Sequence, residues 1–278
     1  MIPFDLEYHL PASIDEAVEL YTALDEEKKQ PLYYAGGTEI VTLCRHQTIR
    51  PGALIDIKGI PETVSCESEG EKFVFGANLT LSALSEQNHF PLLAAVARCV
   101  ADRTVRNRLT LGGNICGRLP YREAVLPFLL GGAEVMLAGP QGRRSVPLLP
   151  HFDKRLRLEK GEMLVQLSVP AAYLKAKSWR KRRERHGPVD YPLLHLAVLE
   201  IDKKPAVAVS GLCAFPFRSD KLESLLNDPS LSIQEKAEQS LALLPGPIRA
   251  DELGSADYRR ALWLKDLAAM LNEIGGTG

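Results

Sequence analysis

Residues 31–45, PLYYAGGTEIVTLCR, change character twice in a short span. Pro31 opens an apolar run through Ala35 that suits a strand. Gly36 and Gly37 break that run, and Thr38 to Arg45 then carries helical spacing. A strand, a glycine turn and a helix in this order read as the start of an α/β unit. Adjacent glycines admit left-handed backbone angles, so successive N–H groups can converge on one concavity ahead of the helix. The helix dipole adds positive potential there, and the Thr38 hydroxyl adds a further donor. Such a nest suits a phosphate, although a Gly-Gly pair taken singly is more often a tight turn.

The pattern continues on both sides. Upstream, Ser13 and Glu16 have capping-box spacing, with Ile14, Ala17, Val18, Tyr21 and Leu24 following at helical intervals. Downstream, residues 53–57 and 72–80 read as strands. LSALSEQ and PLLAAVARCVA return to helical spacing, and AEVMLAG reads as another strand. A second glycine turn, TLGGN at 110–114, lies between the helix ending near Ala101 and the apolar segment AVLPFLL. Strand and helix alternate, which predicts an α/β core. From about Gly161 the segments MLVQLSV, PLLHLAVLEI and AVAVSGLCA are β-like, and the last 60 or so residues are helical with polar breaks. A boundary near Pro170 therefore divides the chain into 1–170 and a smaller 171–278 region.

Composition narrows the function. With 278 residues, 45% of them hydrophobic, the chain can bury a substantial core, and a formal charge of −1 provides no global field toward nucleic acid or an anionic membrane. The acidic N-terminal stretch lacks the order of a secretory signal and no run approaches a spanning helix, so a cytoplasmic location is expected. The five cysteines are scattered and read as reduced, mostly buried thiols; the six histidines form no ligand pair. His195, inside PLLHLAVL, reads as a hydrogen-bonded core residue.

Together the glycine loops say more than either alone. In Thr110-Leu111-Gly112-Gly113-Asn114 the Asn114 amide can donate to a phosphate oxygen or accept from a ribose hydroxyl. Two such loops could clamp a pyrophosphate from both sides using neutral donors, which fits a dinucleotide better than a triphosphate. Neither a P-loop sequence nor Gly-x-Gly-x-x-Gly occurs in the chain.

AGGTEIV (35–41), PGALIDIKGIPE (51–62), TVRNRLTLGGNICGRLPYREAVLPFLLGGAEVML (104–137) and EKGEMLVQLSVP (159–170) resemble the marker segments of the FAD-binding domain in molybdopterin dehydrogenases. RKRRERHGPVDYPLLHLAVL (180–199) and GSADYRRAL (254–262) are similar to that family's C-terminal domain. The resemblance implies a vanillyl-alcohol-oxidase-like FAD fold in two α/β subdomains, about 1–57 and 58–170, followed by a small α+β domain at 171–278, the chain as a whole being of the α+β class. It implies an FAD-binding electron-transfer subunit of a xanthine dehydrogenase-like molybdenum hydroxylase. The molybdopterin would reside in a large partner subunit and the 2Fe-2S clusters in a small one, with NAD or another acceptor receiving the electrons. By position it implies pyrophosphate contacts at Ala35, Gly36, Gly37, Thr38 and Glu39, and cofactor contacts at Thr110, Gly112, Gly113 and Asn114, with Ile115 packed nearby. Where the family commonly reads Ser-Pro-x-x-Asp this chain has Leu119-Pro120-Tyr121-Arg122-Glu123, so Glu123 falls at an acidic position that binds ribose hydroxyls. Arg155 falls near a basic position beside the flavin.

Seven Lys or Arg residues lie in KAKSWRKRRER (175–185); the reading is a solvated face, with a partner-subunit contact second. Two other functions compete with the electron-transfer role. One is a self-sufficient flavin oxidoreductase, which the lack of a His or Cys in AGGTEI disfavours and restricts to the non-covalent kind. The other is a flavin-free scaffold subunit.

Overall fold

The computed structural model describes residues 2–184 and 191–275, and three sheets of three or more strands organise them. The first is parallel: β1 (Glu7–His9), α1 (Ile14–Glu26), β2 (Leu32–Tyr34), α2 (Thr38–Arg45) and β3 (Ala53–Asp56), in strand order β1-β3-β2. The central strand β3 is buried throughout, as a parallel strand covered on both faces must be. Ile14, Ala17 and Leu24 of α1 pack in one cluster with Ala53, Ile55 and Ile57. The Ser13 hydroxyl accepts from the Glu16 N–H, while the Glu16 carboxylate accepts from Ala12, one residue earlier than a capping box would place it.

The second sheet overturns the α/β expectation for residues beyond 57. Its strands are β4 (Cys66–Glu69), β5 (Lys72–Gly76), β6 (Glu134–Gly139), β7 (Gly142–Pro147) and, after the hairpin β8 (Phe152–Asp153) and β9 (Arg155–Leu156), β10 (Met163–Pro170). They run antiparallel in the order β4-β5-β10-β6-β7. Helices α3 (Leu81–Gln87), α4 (Pro91–Arg98), α5 (Arg103–Arg106), α6 (Leu111–Cys116) and α7 (Leu126–Leu130) fall between β5 and β6, segregated from the strands, which makes the unit α+β. Its core joins Phe75, Phe90, Phe128, Leu137 and Leu167.

The third sheet comprises β11 (Ser178–Glu184), β12 (Pro192–Ile201), β13 (Lys204–Ser210) and β14 (Phe217–Arg218), antiparallel in that order. One face, with Leu194, Leu196, Val198, Val207 and Val209, packs with Trp263, Leu267 and Met270 of the terminal helix α8 (Ala256–Gly275). The other face, with Ala197, Leu199, Ala206 and Ala208, joins the core of the second unit. Strand β12 is therefore buried on both sides, which explains its unbroken apolar run.

The basic run is a solvated face only in part: Lys175, Lys177 and Lys181 are exposed, while Arg182 and Arg183 are drawn into ion pairs. Residues 178–184 form β11, where the Arg182 side chain is 6% exposed and pairs with Glu123 and Glu184, and Arg183 pairs with Asp266 of α8. Arg185 lies outside the described residues. The cysteines also depart from expectation: Cys44 and Cys213 are buried, Cys66 and Cys99 half-buried, and Cys116 exposed. No helix among the described residues is long and apolar enough to cross a membrane.

Candidate functional site

The carboxyl ends of β2 and β3 point the same way, and in open parallel sheets ligands collect beyond such ends. Ala35 to Gly37 follow β2, and Lys58 follows β3. Gly37 has φ +73°, and a β-carbon there would collide with the Tyr34 ring, so the position calls for glycine on both counts. This left-handed residue starts α2. The N–H groups of Thr38, Glu39 and Ile40 have no intrahelical acceptor, and neither they nor those of Gly36 and Gly37 donate to another described residue. These amides are the free donors that the sequence predicts for an anion nest.

The second glycine pair behaves differently. It is not a turn but the first turn of α6, whose N-cap is Thr110. The Leu111 N–H donates to the Leu79 carbonyl at 2.9 Å, Gly112 to Ala77 at 2.7 Å, Gly113 to the Thr110 hydroxyl at 3.2 Å, and Asn114 to the Thr110 carbonyl at 2.9 Å. Its amides are thus consumed within the protein, which corrects the expectation of a clamp donating backbone N–H groups from both sides. Thr110 is buried as a cap, Ile115 is fully buried on the inner face of α6, and Gly112 packs so closely on Ala77 that a β-carbon would sit 2.8 Å from the Ala77 β-carbon. Gly113 is exposed and Asn114 half-buried. The Asn114 Oδ1 accepts from the Ala124 N–H at 3.1 Å, leaving Nδ2 as the donor.

The two loops meet directly. The chain at Gly36 passes against the Arg108 carbonyl, just before Thr110. Both carboxylate oxygens of Glu39 accept from the Arg118 N–H, at 3.0 and 2.9 Å, so the start of α2 holds the chain beyond α6. Glu39 thereby serves as a brace between the loops.

Lys58 escaped the sequence reading. Its Nζ donates to the Ala35 carbonyl at 3.0 Å and to Asp56 at 2.6 Å, and lies 4.4 Å from the centre of the Tyr34 ring. Burial opposes ionisation of Asp56, but hydrogen bonds from Lys58 and from the Tyr8 hydroxyl outweigh it and hold this carboxyl below the usual range. The same contact pushes the Tyr8 phenol up to about 12. The signal was available in the sequence, since Lys58 immediately follows the apolar strand 53–57 of a parallel unit.

Glu123 does not reach the loops. It is 3% exposed, and its carboxylate is taken up by Arg182 and His195 of the third sheet. Burial would raise its pKa, but the hydrogen bond with His195 and the Arg182 charge bring it below the ordinary value. His195 is fully buried and hydrogen-bonded, as its sequence context implies. Arg155, exposed on β9, lines a cleft of about 490 Å³ with Arg122, Lys154, Arg157 and Phe215. Arg122, at φ +35°, donates to the carbonyls of Gly117 and Lys154 and ties this cleft to the end of α6.

These groups fit a flavin dinucleotide. The free amides of residues 36–40 and the Lys58 ammonium suit its pyrophosphate, and the Asn114 Nδ2 suits a phosphate or ribose oxygen.

Residues 4–172 match the family described as the FAD binding domain in molybdopterin dehydrogenase. The carbon monoxide dehydrogenase medium chain of Hydrogenophaga pseudoflava is 31% identical over 277 residues, covering 94% of each chain. The putative xanthine dehydrogenase FAD-binding subunit of Escherichia coli K12 is 29% identical over 171 residues, covering 59% of this chain and 57% of that one. Among solved structures, a Hydrogenophaga pseudoflava carbon monoxide dehydrogenase that lacks the Mo-pyranopterin moiety of its cofactor superposes with a TM-score of 0.83 at 28% identity over 98% of both chains.

Proposed function

The chain belongs to the family of FAD-binding domains in molybdopterin dehydrogenases, and we propose that within it the protein is the electron-transfer subunit of a xanthine dehydrogenase-like molybdenum hydroxylase. In this reading a large partner subunit holds the molybdopterin and selects a purine, a similar heterocycle or an aldehyde. A small partner holds the 2Fe-2S clusters, and NAD or another acceptor takes the electrons. When bound, FAD supplies the redox chemistry. The protein's part is to bind and orient it. The amides of residues 36–40 and Lys58 would neutralise the pyrophosphate, Asn114 would fix the chain between the phosphates and the ring, and Arg155 would offer positive charge beside the flavin. The chain divides functionally at Pro170 into the FAD-binding region and a C-terminal domain.

The observation that carries this reading is the meeting of the two loops, with a row of free amides on one side and, on the other, a half-buried asparagine whose oxygen is held by Ala124. Its test is the visible spectrum of the purified chain with and without added FAD, before and after denaturation. Flavin bands released on denaturation support the reading; no bands and no uptake favour the scaffold role. Bleaching by substrate with this chain alone would point to a self-sufficient oxidoreductase.

A carbon monoxide-oxidising complex is the second reading, favoured by the far longer alignment with the Hydrogenophaga chain. Flavin bleaching in the assembled complex on addition of xanthine, an aldehyde or carbon monoxide separates the two.

A further inference from the structure

We propose that Glu123 is a positioning residue, which sets Asn114 toward the cofactor from the C-terminal domain instead of touching ribose itself. The inference rests on the reading of Asn114 as a cofactor contact. Arg182 and His195 are register partners on adjacent strands β11 and β12, so neighbouring strands present two nitrogen groups to one carboxylate. Glu123 Oε1 accepts from Arg182 Nε at 2.7 Å and lies 2.7 Å from His195 Nδ1, while Oε2 accepts from an Arg182 terminal nitrogen at 3.3 Å. Both oxygens are engaged, and the residue is buried.

The segment around Glu123 hangs from the same sheet at a second point, where the Ser210 hydroxyl donates to the Tyr121 carbonyl. The peptide after Glu123 then supplies the Ala124 N–H that captures Asn114 Oδ1. With its oxygen held, the Asn114 amide has one orientation, and Nδ2 is the donor it can offer a ligand. A chain of contacts therefore runs from β11 and β12 through Glu123 and Ala124 to Asn114. The acidic residue commonly found at this position in the family is Asp; the longer Glu is what spans to both strands here.

The test is a thermodynamic cycle on the full chain, reading FAD affinity by fluorescence titration, with circular dichroism and melting as controls for folding. Glu123→Gln is expected to weaken FAD binding by about tenfold, the loss associated with one charged hydrogen-bond group. Glu123→Asp should not rescue it, because the shorter side chain withdraws from Arg182 and His195. In an Asn114→Ala background, Glu123→Gln should add less than about a twofold further loss. If Glu123→Asp binds FAD as well as the parent, or if the two losses multiply, Glu123 is a direct ligand and the proposal fails. Unchanged affinity in Asn114→Ala alone removes the Asn114 contact, and the proposal with it. Should Glu123→Gln not fold, Arg182→Lys, which keeps the charge but loses the guanidinium fork, replaces it in the same cycle with the same outcomes.

Discussion

Gly36 passes so close to Arg108 that a β-carbon on it would lie 1.7 Å from the Arg108 carbonyl oxygen. Two loops separated by some seventy positions in sequence thus touch backbone to backbone, and no side chain can be accommodated between them.

Gly36→Ala is therefore expected to force the loops apart. Overpacking of this kind costs about 1–3 kcal/mol, or roughly 2–5 °C in melting temperature for a chain of this size. FAD affinity should fall by at least about tenfold, since the free amides and Asn114 lose their common register. Calorimetry and FAD titration of the variant check both; an undisturbed melting temperature would refute the close approach.

Lys58→Met tests the cation beside the first loop. Asp56 is buried, so losing the ammonium leaves its carboxylate with only the Tyr8 hydroxyl and the Lys58 N–H, and some loss of stability at neutral pH should accompany the change. FAD affinity should drop by about five- to tenfold at low salt, and its dependence on ionic strength should flatten. Titrations at two salt concentrations give the answer, and equal affinity for variant and parent at low salt dismisses Lys58 from the site.

Glu39→Ala removes the only acceptor shown for the Arg118 N–H among the described residues. The expected loss is about 1–2 kcal/mol. The Arg118 amide should exchange with deuterium faster than in the parent, while amides of the third sheet keep their protection. Unaltered exchange at Arg118 would show that Glu39 braces nothing.

Asp56 gives a pH signature. Because its carboxyl is held below the usual range in the folded protein, its contribution is fully present above the unfolded carboxylate value of 3.8 and fades as pH falls through the folded value. Melting curves of the parent and of Asp56→Asn should be separated at neutral pH and converge below pH 3.8. A gap that persists unchanged into stronger acid would contradict the Lys58 and Tyr8 contacts as its source.

The first unit was legible in the sequence because its local signals agree: an apolar run, a glycine break, and helical spacing led by Thr38 produce β2, Gly37 at positive φ, and α2. The second unit misled because pairing direction is not written locally. An apolar strand such as β5 looks the same whether its neighbours run parallel or antiparallel. The edge strands β4 and β7, CESE and GRRSVP, are polar and were overlooked, since solvated edges carry little hydrophobic signal. The TLGGN motif reads as a second glycine turn but forms the start of a helix. Its glycines serve close packing and helix capping, with Gly113 exposed and Asn114 half-buried. Glu123 shows the limit most clearly, because its partners Arg182 and His195 lie on strands that sequence reading could not place against it. The basic run was legible only in part for the same reason: β11 alternates, so Arg182 turns inward to meet an acid from another unit.

Strand β12, sandwiched between the α8 layer and the second unit, has a bearing on how this protein can be handled and how it can have evolved. Cutting the chain after Pro170 would strip the cover from a greasy wall of the flavin-binding half and leave a sticky fragment. The halves should melt in one cooperative transition. A lineage that recombined such subunits would have to exchange them whole, because the flavin-binding half is no detachable cassette.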